Sequence, residues 1–217
     1  MRGELFKRII SSIILVPISL FFIIKGSLLF NTFIVFIFLI TSYEWYKMSK
    51  NKSYLTLGFL FLIVSFYAIY KVRNIDESFY YFLSVLLICI STDIGGYIFG
   101  KFFGGPKLTK ISPNKTYSGM IGGYLLSFIA LSLFFTSSYL SSETVQIAPK
   151  VIIFILLIST SSQLGDIIIS YFKRLSNIKD TGKIIPGHGG LLDRVDGMIF
   201  AFPFSYILFK INIINFI

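Results

Sequence analysis

Long runs of apolar residues divide this chain, and they constrain its fold more than any other feature of the sequence. A helix needs about 20 predominantly apolar residues to cross the hydrocarbon core of a bilayer. The runs lie roughly at 9–25, 28–46, 54–70, 78–98, 119–139, 151–170 and 197–216. Of the 217 residues, 55% are hydrophobic and only 14% are charged, which is too apolar for an ordinary soluble domain. The sequence therefore predicts an all-α, polytopic membrane protein with about seven transmembrane helices, six or eight being the alternatives.

Basic residues are concentrated in alternate loops between these runs, and such an asymmetry sets the orientation of a membrane protein. Most of the 20 Lys and Arg residues fall before the first run and in alternate loops after it. Because basic loops stay in the cytoplasm, we expect a cytoplasmic N-terminus. This distribution accounts for the net charge of +10 without nucleic acid as a partner. No small-x-small cleavage site follows the first run, so we expect it to be retained. The topology predicts a multi-pass protein of the bacterial inner (cytoplasmic) membrane, in contact with membrane lipids.

No internal repeat or long linker interrupts the chain, so residues 1–217 are predicted to form one transmembrane domain. Residues 1–70 have few polar groups, whereas residues 78–217 contain the loops that could hold catalytic groups. In the first part, Glu44 beside Trp45 is predicted to be a solvated carboxylate in an aromatic belt at the cytoplasmic surface. Two predicted cytoplasmic loops, 100–118 and 171–196, are much longer than the others, and such loops are usually functional.

Two aspartates, Asp93 and Asp166, lie within predicted spans, in the cytoplasmic halves of their helices. An ionised carboxylate costs roughly 2.5–3.5 kcal/mol at the bilayer centre, so it is rarely kept without a partner or a cation. We expect both to lie at similar depth beside the long basic loops, where a cation could join them. The alternative is that each carboxylate pairs with a Lys or Arg. Glycines at 95, 96, 100, 122 and 123 are predicted to let neighbouring helices approach closely.

The first long loop has Gly-Gly-Pro and Ser-Pro turn signals with lysines between them. Lysine supplies a flexible positive charge and hydroxyl groups supply donors, both of which suit phosphate binding. A basic loop is also what the topology alone predicts. The candidate phosphate-binding residues in and beside this loop are Lys101, Ser112, Lys115 and Thr116.

The segment from Ser170 to Asp196, SYFKRLSNIKDTGKIIPGHGGLLDRVD, concentrates polar chemistry in an apolar chain. It begins with a Lys-Arg pair, continues through a glycine-rich turn whose backbone N–H groups could face an anion, and ends with Asp-Arg-x-Asp. Mg²⁺ takes one or two protein carboxylates and completes its shell with water and substrate phosphates. The candidate metal ligands are Asp166, Asp193, Asp196 and Asp93.

His188, in the glycine-rich turn, is the one histidine of the chain. A phosphate monoester is already largely dianionic at pH 7, so a phosphate nucleophile needs no general base. We therefore expect His188 to hold the turn or to donate to a phosphate.

This segment resembles the signature of the phosphatidate cytidylyltransferases, the CDP-diacylglycerol synthases. The matching residues are Ser-x-Phe-Lys-Arg, Lys-Asp-x-Gly and Pro-x-His-Gly-Gly-Leu-x-Asp-Arg-Val-Asp, in that order. The resemblance covers roughly the C-terminal 130 residues, and its other matches are Asp93-x-x-Gly96-Tyr97-x-x-Gly100-Lys101, Ser112-Pro113-x-Lys115-Thr116 and Gly165-Asp166. Ser118 and Ile169 depart from the pattern, since many relatives have Glu at both positions.

The resemblance implies that CTP and phosphatidate react to give CDP-diacylglycerol and pyrophosphate at the cytoplasmic face, with Mg²⁺ and a second cation as an option. It also suggests a homodimer. From the chemistry of the residues, we expect Asp166, Asp193, Lys173 and Arg174 to act in catalysis. The residues expected to bind substrate are Lys101, Ser112, Lys115, Thr116, Lys179, Asp180, Gly187, His188, Gly189, Gly190 and Arg194.

Two other functions are compatible with the same residues. One is a related CTP-dependent lipid enzyme, such as a prenol kinase or an archaeal-type lipid cytidylyltransferase. The other is an ion-coupled transporter with Asp93 and Asp166 in its ion path. The sequence shows no pair of matched broken helices, which disfavours the transporter.

Overall fold

The computed structural model describes residues 2–74, 79–138, 149–187 and 189–211, and the regular elements in these ranges are helices. They are α1 (Arg2–Lys25), α2 (Ser27–Ser49), α3 (Leu55–Arg73), α4 (Phe79–Phe103), α5 (Tyr117–Ser138), α6 (Pro149–Leu175), α7 (Leu192–Val195) and α8 (Met198–Lys210). We refer to residues 104–116 as the lysine loop and to residues 176–191 as the signature loop. The predicted all-α class is confirmed.

Five of the described helices, α2 to α6, are long and apolar enough to cross a membrane. Shorter apolar helices occupy Ile13–Lys25 and Met198–Lys210. Large apolar side chains are exposed along every long helix, with Leu28 at 75% and Phe102 at 81%. A surface of this kind is stable in lipid, which does not penalise apolar groups as water does. The chain is a polytopic membrane protein, and the count of seven spans stays a prediction.

The described chain forms two compact units that do not follow the order of the sequence. The first unit comprises Met1–Tyr70 and Phe172–Val195, so it joins α1, α2 and α3 to the signature loop and α7. The second comprises Lys71–Tyr171 and Asp196–Ile217, with α4, α5, most of α6 and α8. Most of the polar segment singled out in the sequence therefore folds with the N-terminal helices.

Aromatic side chains hold the start of the signature loop within the first unit. The ring of Phe172 lies 5.3 Å from that of Trp45 and 4.8 Å from that of Tyr54. Trp45 is 3% exposed and donates its indole N–H to the carbonyl of Leu55 at 3.0 Å. The Tyr54 hydroxyl lies 2.8 Å from the hydroxyl of Ser176. The prediction that Trp45 belongs to an interfacial belt is therefore wrong, because its ring packs inside the protein.

Glycines bring α4 and α5 into close contact in the second unit, as predicted. A Cβ atom placed on Gly95 would lie 2.8 Å from the carbonyl carbon of Gly122 and 3.0 Å from the Cα of Gly123. Beside this contact, the hydroxyl of Thr92 lies 2.8 Å from those of Ser127 and Ser159, which belong to α5 and α6. The three helices are thus packed through small and hydroxyl side chains, the usual basis of helix association in lipid.

Substituting alanine for Gly95 should lower stability, because the added Cβ meets backbone atoms of α5 that cannot rotate away. Overpacking of this kind costs typically about 1–3 kcal/mol. Gly96→Ala is the matched control, since the nearest atom to its added Cβ is the Gly119 carbonyl oxygen at 3.7 Å. Thermal unfolding in detergent measures both. Equal unfolding midpoints for Gly95→Ala and Gly96→Ala would contradict the close contact of Gly95 with α5.

Candidate functional site

Two lysine–aspartate ion pairs stand out among the described residues, one in each compact unit. Lys173 pairs with Asp193 in the first unit, and Lys115 pairs with Asp166 in the second. All four residues were among those predicted to bind substrate, to bind metal or to act in catalysis. Each pair is supported by a different loop.

The pair in the first unit is almost closed to solvent. Lys173 lies in the last turn of α6, and its Nζ is 2.9 Å from Oδ1 of Asp193. The two side chains are 10% and 5% exposed. Oδ2 of Asp193 accepts the backbone N–H groups of Thr181 at 2.8 Å and Gly190 at 3.0 Å. Charges this deeply buried are tolerated only when they are paired and hydrogen-bonded. Asp193, on α7, meets that condition through the end of α6 and two separate parts of the signature loop.

A backbone hydrogen bond joins the two sides of the glycine-rich part of the signature loop. The N–H of Ile185 donates to the carbonyl of Gly189 at 3.0 Å. Gly187 and Gly189 have φ angles of 76° and 88°, in the left-handed region that favours glycine. The turn was predicted to offer N–H groups to a substrate anion, and the N–H of Gly190 instead donates to Asp193. His188 lies outside the described residues, so its predicted role stays a prediction.

Glu44, on α2, is a buried carboxylate and not the solvated one predicted from the sequence. It is 1% exposed. Its oxygens accept the backbone N–H groups of Leu191 at 3.0 Å and Leu192 at 2.7 Å, and the hydroxyl of Thr181 at 3.2 Å. The prediction is wrong because the signature loop folds against α2. One signal could have found Glu44, since it is the sole acidic residue between positions 5 and 75.

The pair in the second unit is more open. Nζ of Lys115 lies 2.5 Å from Oδ2 of Asp166 and 3.2 Å from the carbonyl oxygen of Gln163. Oδ1 of Asp166 accepts the Ser170 hydroxyl at 3.3 Å. The Lys115 and Asp166 side chains are 21% and 30% exposed. For Asp166, the alternative that it pairs with a lysine is confirmed. Because the pair is partly open, a phosphate could replace Asp166 on Lys115, and a cation could replace Lys115 on Asp166.

Backbone hydrogen bonds hold Lys115 in place at the end of the lysine loop. The N–H of Leu108 donates to the carbonyl of Lys115 at 2.8 Å, and the N–H of Lys115 donates to the carbonyl of Ser112 at 3.0 Å. Thr116 then caps α5, since its Oγ1 accepts the N–H of Gly119 at 3.1 Å. The lysine loop is therefore an ordered turn that presents Lys115 to α6.

Ser118, which stands where many relatives have Glu, is part of the same support. Its hydroxyl donates to the carbonyl of Gly104, just past the end of α4, and lies 2.9 Å from the hydroxyl of Thr116. The serine thus ties the two ends of the lysine loop together. Ile169, at the other position of departure, is 3% exposed and belongs to the core.

The remaining two candidate metal ligands, Asp93 and Asp196, also lie in the second unit. Asp93 is exposed on α4, whereas Asp196 is 7% exposed and accepts the N–H of Gly197 at 3.0 Å. A Cβ on Gly165 would lie 2.8 Å from the carbonyl oxygen of Asp196, so the chain next to Asp166 packs against the chain at Asp196. Within the described ranges, no three or more His, Cys, Asp or Glu side chains are grouped to hold a metal ion by themselves.

The other charged residues predicted to act in catalysis or to bind substrate have exposed side chains where the structure describes them. Arg174 donates to the carbonyl of Ile178 at 3.2 Å. Lys101, near the end of α4, lies 5.6 Å from the ring centre of Tyr97. The others are Lys179, Asp180 and Arg194. The catalytic role of Arg174 and the substrate-binding role of the other four stay predictions.

Known proteins resemble this chain over most of its length. Residues 53–212 match the model of a group described as the cytidylyltransferase family. A phosphatidate cytidylyltransferase of Rickettsia bellii (strain RML369-C) is 38% identical over 97% of this chain and 92% of its own. One from Rickettsia typhi (strain ATCC VR-144 / Wilmington) is 34% identical over 98% of this chain and 93% of its own. One from Bacillus subtilis (strain 168) is 37% identical over 71% of this chain and 57% of its own.

Proposed function

This chain belongs to the cytidylyltransferase family, and we propose that it is a phosphatidate cytidylyltransferase, which converts CTP and phosphatidate to CDP-diacylglycerol and pyrophosphate. The observation that carries the proposal is the similarity to enzymes of that name over 97% of this chain. The two lysine–aspartate pairs support it, because the reaction joins two polyanions and needs positive charge held in place. The apolar helices support a lipid substrate.

In the proposed reaction, an oxygen of the phosphatidate phosphate forms a bond to the α-phosphorus of CTP. The bond from that phosphorus to the oxygen of the leaving pyrophosphate breaks, and negative charge moves onto the pyrophosphate. The protein must therefore orient the two phosphates and stabilise the leaving group. Lys115 in the second unit and Lys173 in the first are each candidates for a phosphate contact, because a lysine ammonium is a point charge with three donors. One donor can face a phosphate while another keeps its aspartate.

Mg²⁺ is part of the proposal, and Asp166 is the candidate ligand that fits it best. Its carboxylate is 30% exposed, and the hydroxyl of Ser170 and the carbonyl of Gln163 lie nearby. These are hard oxygen donors, and Mg²⁺ needs only one or two protein carboxylates when phosphates and water complete its shell. Asp93, Asp193 and Asp196 are the further candidates, including for a second cation. When bound, the ion would neutralise phosphate charge and polarise the phosphoryl oxygens.

The location and assembly belong to the same proposal. We place the N-terminus and the two long basic loops on the cytoplasmic side of a bacterial inner membrane. The reason is that most Lys and Arg residues lie before the first apolar run and in alternate loops after it. A homodimer is the assembly that the family resemblance suggests. Light scattering of the detergent-solubilised protein would measure the oligomeric state.

The assay that tests the function uses purified protein in detergent with labelled CTP and phosphatidate. We expect labelled CDP-diacylglycerol and an equal amount of pyrophosphate, formed only when phosphatidate is present. Chelation of divalent cations by EDTA should stop the reaction, and added Mg²⁺ should restore it. Release of CDP in place of pyrophosphate would identify a kinase. Ion uptake by proteoliposomes without nucleotide consumption would identify a transporter, and either result would contradict the proposal.

A further inference from the structure

Glu44 receives three donors from the signature loop and α7 although it lies at least 137 residues away from them in sequence. Two are the consecutive backbone N–H groups of Leu191 and Leu192, and the third is the hydroxyl of Thr181. The carboxylate is 1% exposed. A buried anion with three directed donors fixes the positions of the groups that donate to it. Glu44 therefore restrains the signature loop at Thr181, within the loop, and at Leu191, its last residue, against one point on α2.

Two glycines of the signature loop leave room for this carboxylate because they have no Cβ atom. A Cβ on Gly182 would lie 3.0 Å from the carboxyl carbon of Glu44. A Cβ on Gly190 would lie 2.7 Å from its Oε2 and 2.7 Å from the backbone nitrogen of Gly182. Side chains at either position would displace Glu44, so these glycines are explained by the approach of a protein carboxylate. Both belong to the segment that resembles the family signature.

The residues that donate to Glu44 are the neighbours of those that hold Asp193. Thr181 donates its side-chain hydroxyl to Glu44 and its backbone N–H to Asp193. The N–H of Gly190 donates to Asp193, and the next N–H, from Leu191, donates to Glu44. Loss of Glu44 would leave these donors unrestrained and so loosen the support of Asp193. Since Asp193 pairs with Lys173, the position of that ammonium group depends on Glu44.

We propose that Glu44 is a positioning residue, which acts through the signature loop and Asp193 to fix Lys173 for phosphate binding without touching the substrate itself. The part that concerns turnover rests on the proposed cytidylyltransferase function. The part that concerns the loop rests on the hydrogen bonds alone. The matched family region, residues 53–212, does not include Glu44, so the inference adds a residue from the N-terminal helices.

The test compares Glu44→Gln and Glu44→Asp with a control on the same helix. Glutamine keeps the size of the side chain but turns an amide N–H₂ toward donors that need an acceptor. Aspartate keeps the charge. Thr41→Val is the control, because Thr41 is also fully buried on α2 while its hydroxyl donates to the carbonyls of Ile37 and Phe38 in its own helix. Thr181→Val removes one of the three donors to Glu44. It replaces Glu44→Gln as the test variant if Glu44→Gln does not fold.

The first measurement is the order of the signature loop, which needs no substrate. Lys179 and Lys183 are exposed and flank Thr181, so trypsin can cut after either one when the loop opens. We expect Glu44→Gln to be cut several-fold faster than the unaltered protein, Glu44→Asp and Thr181→Val at intermediate rates, and Thr41→Val at the unaltered rate. Equal rates for Glu44→Gln and Thr41→Val would overturn the proposal, whether or not the protein turns over CTP.

The second measurement separates positioning from a merely structural role. Loss of a residue that orients a functional group typically costs roughly 10–100-fold in activity. We expect a loss of this size in the kcat of folded Glu44→Gln, with the KM for CTP changed less, and partial recovery in Glu44→Asp. A kcat within about twofold of the unaltered value would overturn the proposal. If the unaltered protein makes no CDP-diacylglycerol, the proposed function is wrong. The rates of trypsin cleavage then decide by themselves whether Glu44 holds the signature loop.

Discussion

Asp193→Asn should lose nearly all turnover and a large part of the stability of the first unit. Asparagine leaves the buried ammonium of Lys173 without its counter-charge and offers one acceptor oxygen where Asp193 uses two. Breaking a buried ion pair by removing one partner costs about 3–5 kcal/mol. Loss of a group that organises charge stabilisation costs roughly 10²–10³ in kcat. The measurements are kcat with CTP and phosphatidate per folded molecule, and thermal unfolding in detergent.

A double variant gives this prediction its control. Lys173→Met with Asp193→Asn removes both charges, so no uncompensated charge stays buried. Replacing a whole buried pair is often neutral or stabilising, and we expect the double variant to unfold at a higher temperature than Asp193→Asn. It should stay inactive, because the ammonium group proposed to bind phosphate is gone. An unfolding temperature below that of both single variants would contradict the account of the pair, and normal turnover would remove Lys173 from the site.

Asp166→Asn should lose turnover to a similar degree while the protein stays nearly as stable. The Lys115–Asp166 pair is 21% and 30% exposed, and pairs open to solvent contribute about 0–1 kcal/mol. If Asp166 holds Mg²⁺, the amide weakens that site, and we expect kcat to fall roughly 10²–10³-fold. The residual rate should need a higher Mg²⁺ concentration. Initial rates over a Mg²⁺ titration measure this effect, and thermal unfolding measures the stability.

Lys115→Met provides the comparison for Asp166. If Asp166 served only to orient Lys115, then Lys115→Met, Asp166→Asn and the double variant would lose the same amount of activity. None of them would then change its dependence on Mg²⁺. We expect the double variant to lose more than either single one, because in the proposed reaction Lys115 would bind phosphate while Asp166 would hold the metal ion. Normal Mg²⁺-dependent turnover in Asp166→Asn would contradict its role as a ligand.

The apolar runs were enough to predict the helices but not where they end. The fourth run was predicted to end near residue 98 and the sixth near 170, whereas α4 continues to Phe103 and α6 to Leu175. The added turns carry Lys101, Lys173 and Arg174. Basic side chains at a helix C-terminus interact favourably with the helix dipole, and their long stems pack along apolar surface. The first basic residue therefore shows where an apolar run ends, but the helix can continue beyond it.

The residues of the candidate site were easier to predict than their contacts. Asp166, Lys173 and Asp193 lie in segments whose composition alone singles them out. Glu44 was missed because its donors come from residues 137 to 148 positions later in the chain, and no local pattern reports such a distance. The interpretation of Gly190 was incomplete for the same reason. Its N–H does face an anion, and that anion is a carboxylate of the protein.

The discontinuous first unit has a consequence for how the protein is made. Leu191 follows Glu44 by 147 residues, which at 5–20 residues per second takes a ribosome roughly 7–30 s to synthesise. Throughout that interval α2 carries an acidic side chain whose eventual donors do not yet exist. The nascent chain must therefore give Glu44 other hydrogen-bond donors, such as water, until residues 181–192 have been made. Truncated chains that stop before residue 172 should be preferred targets of membrane quality control.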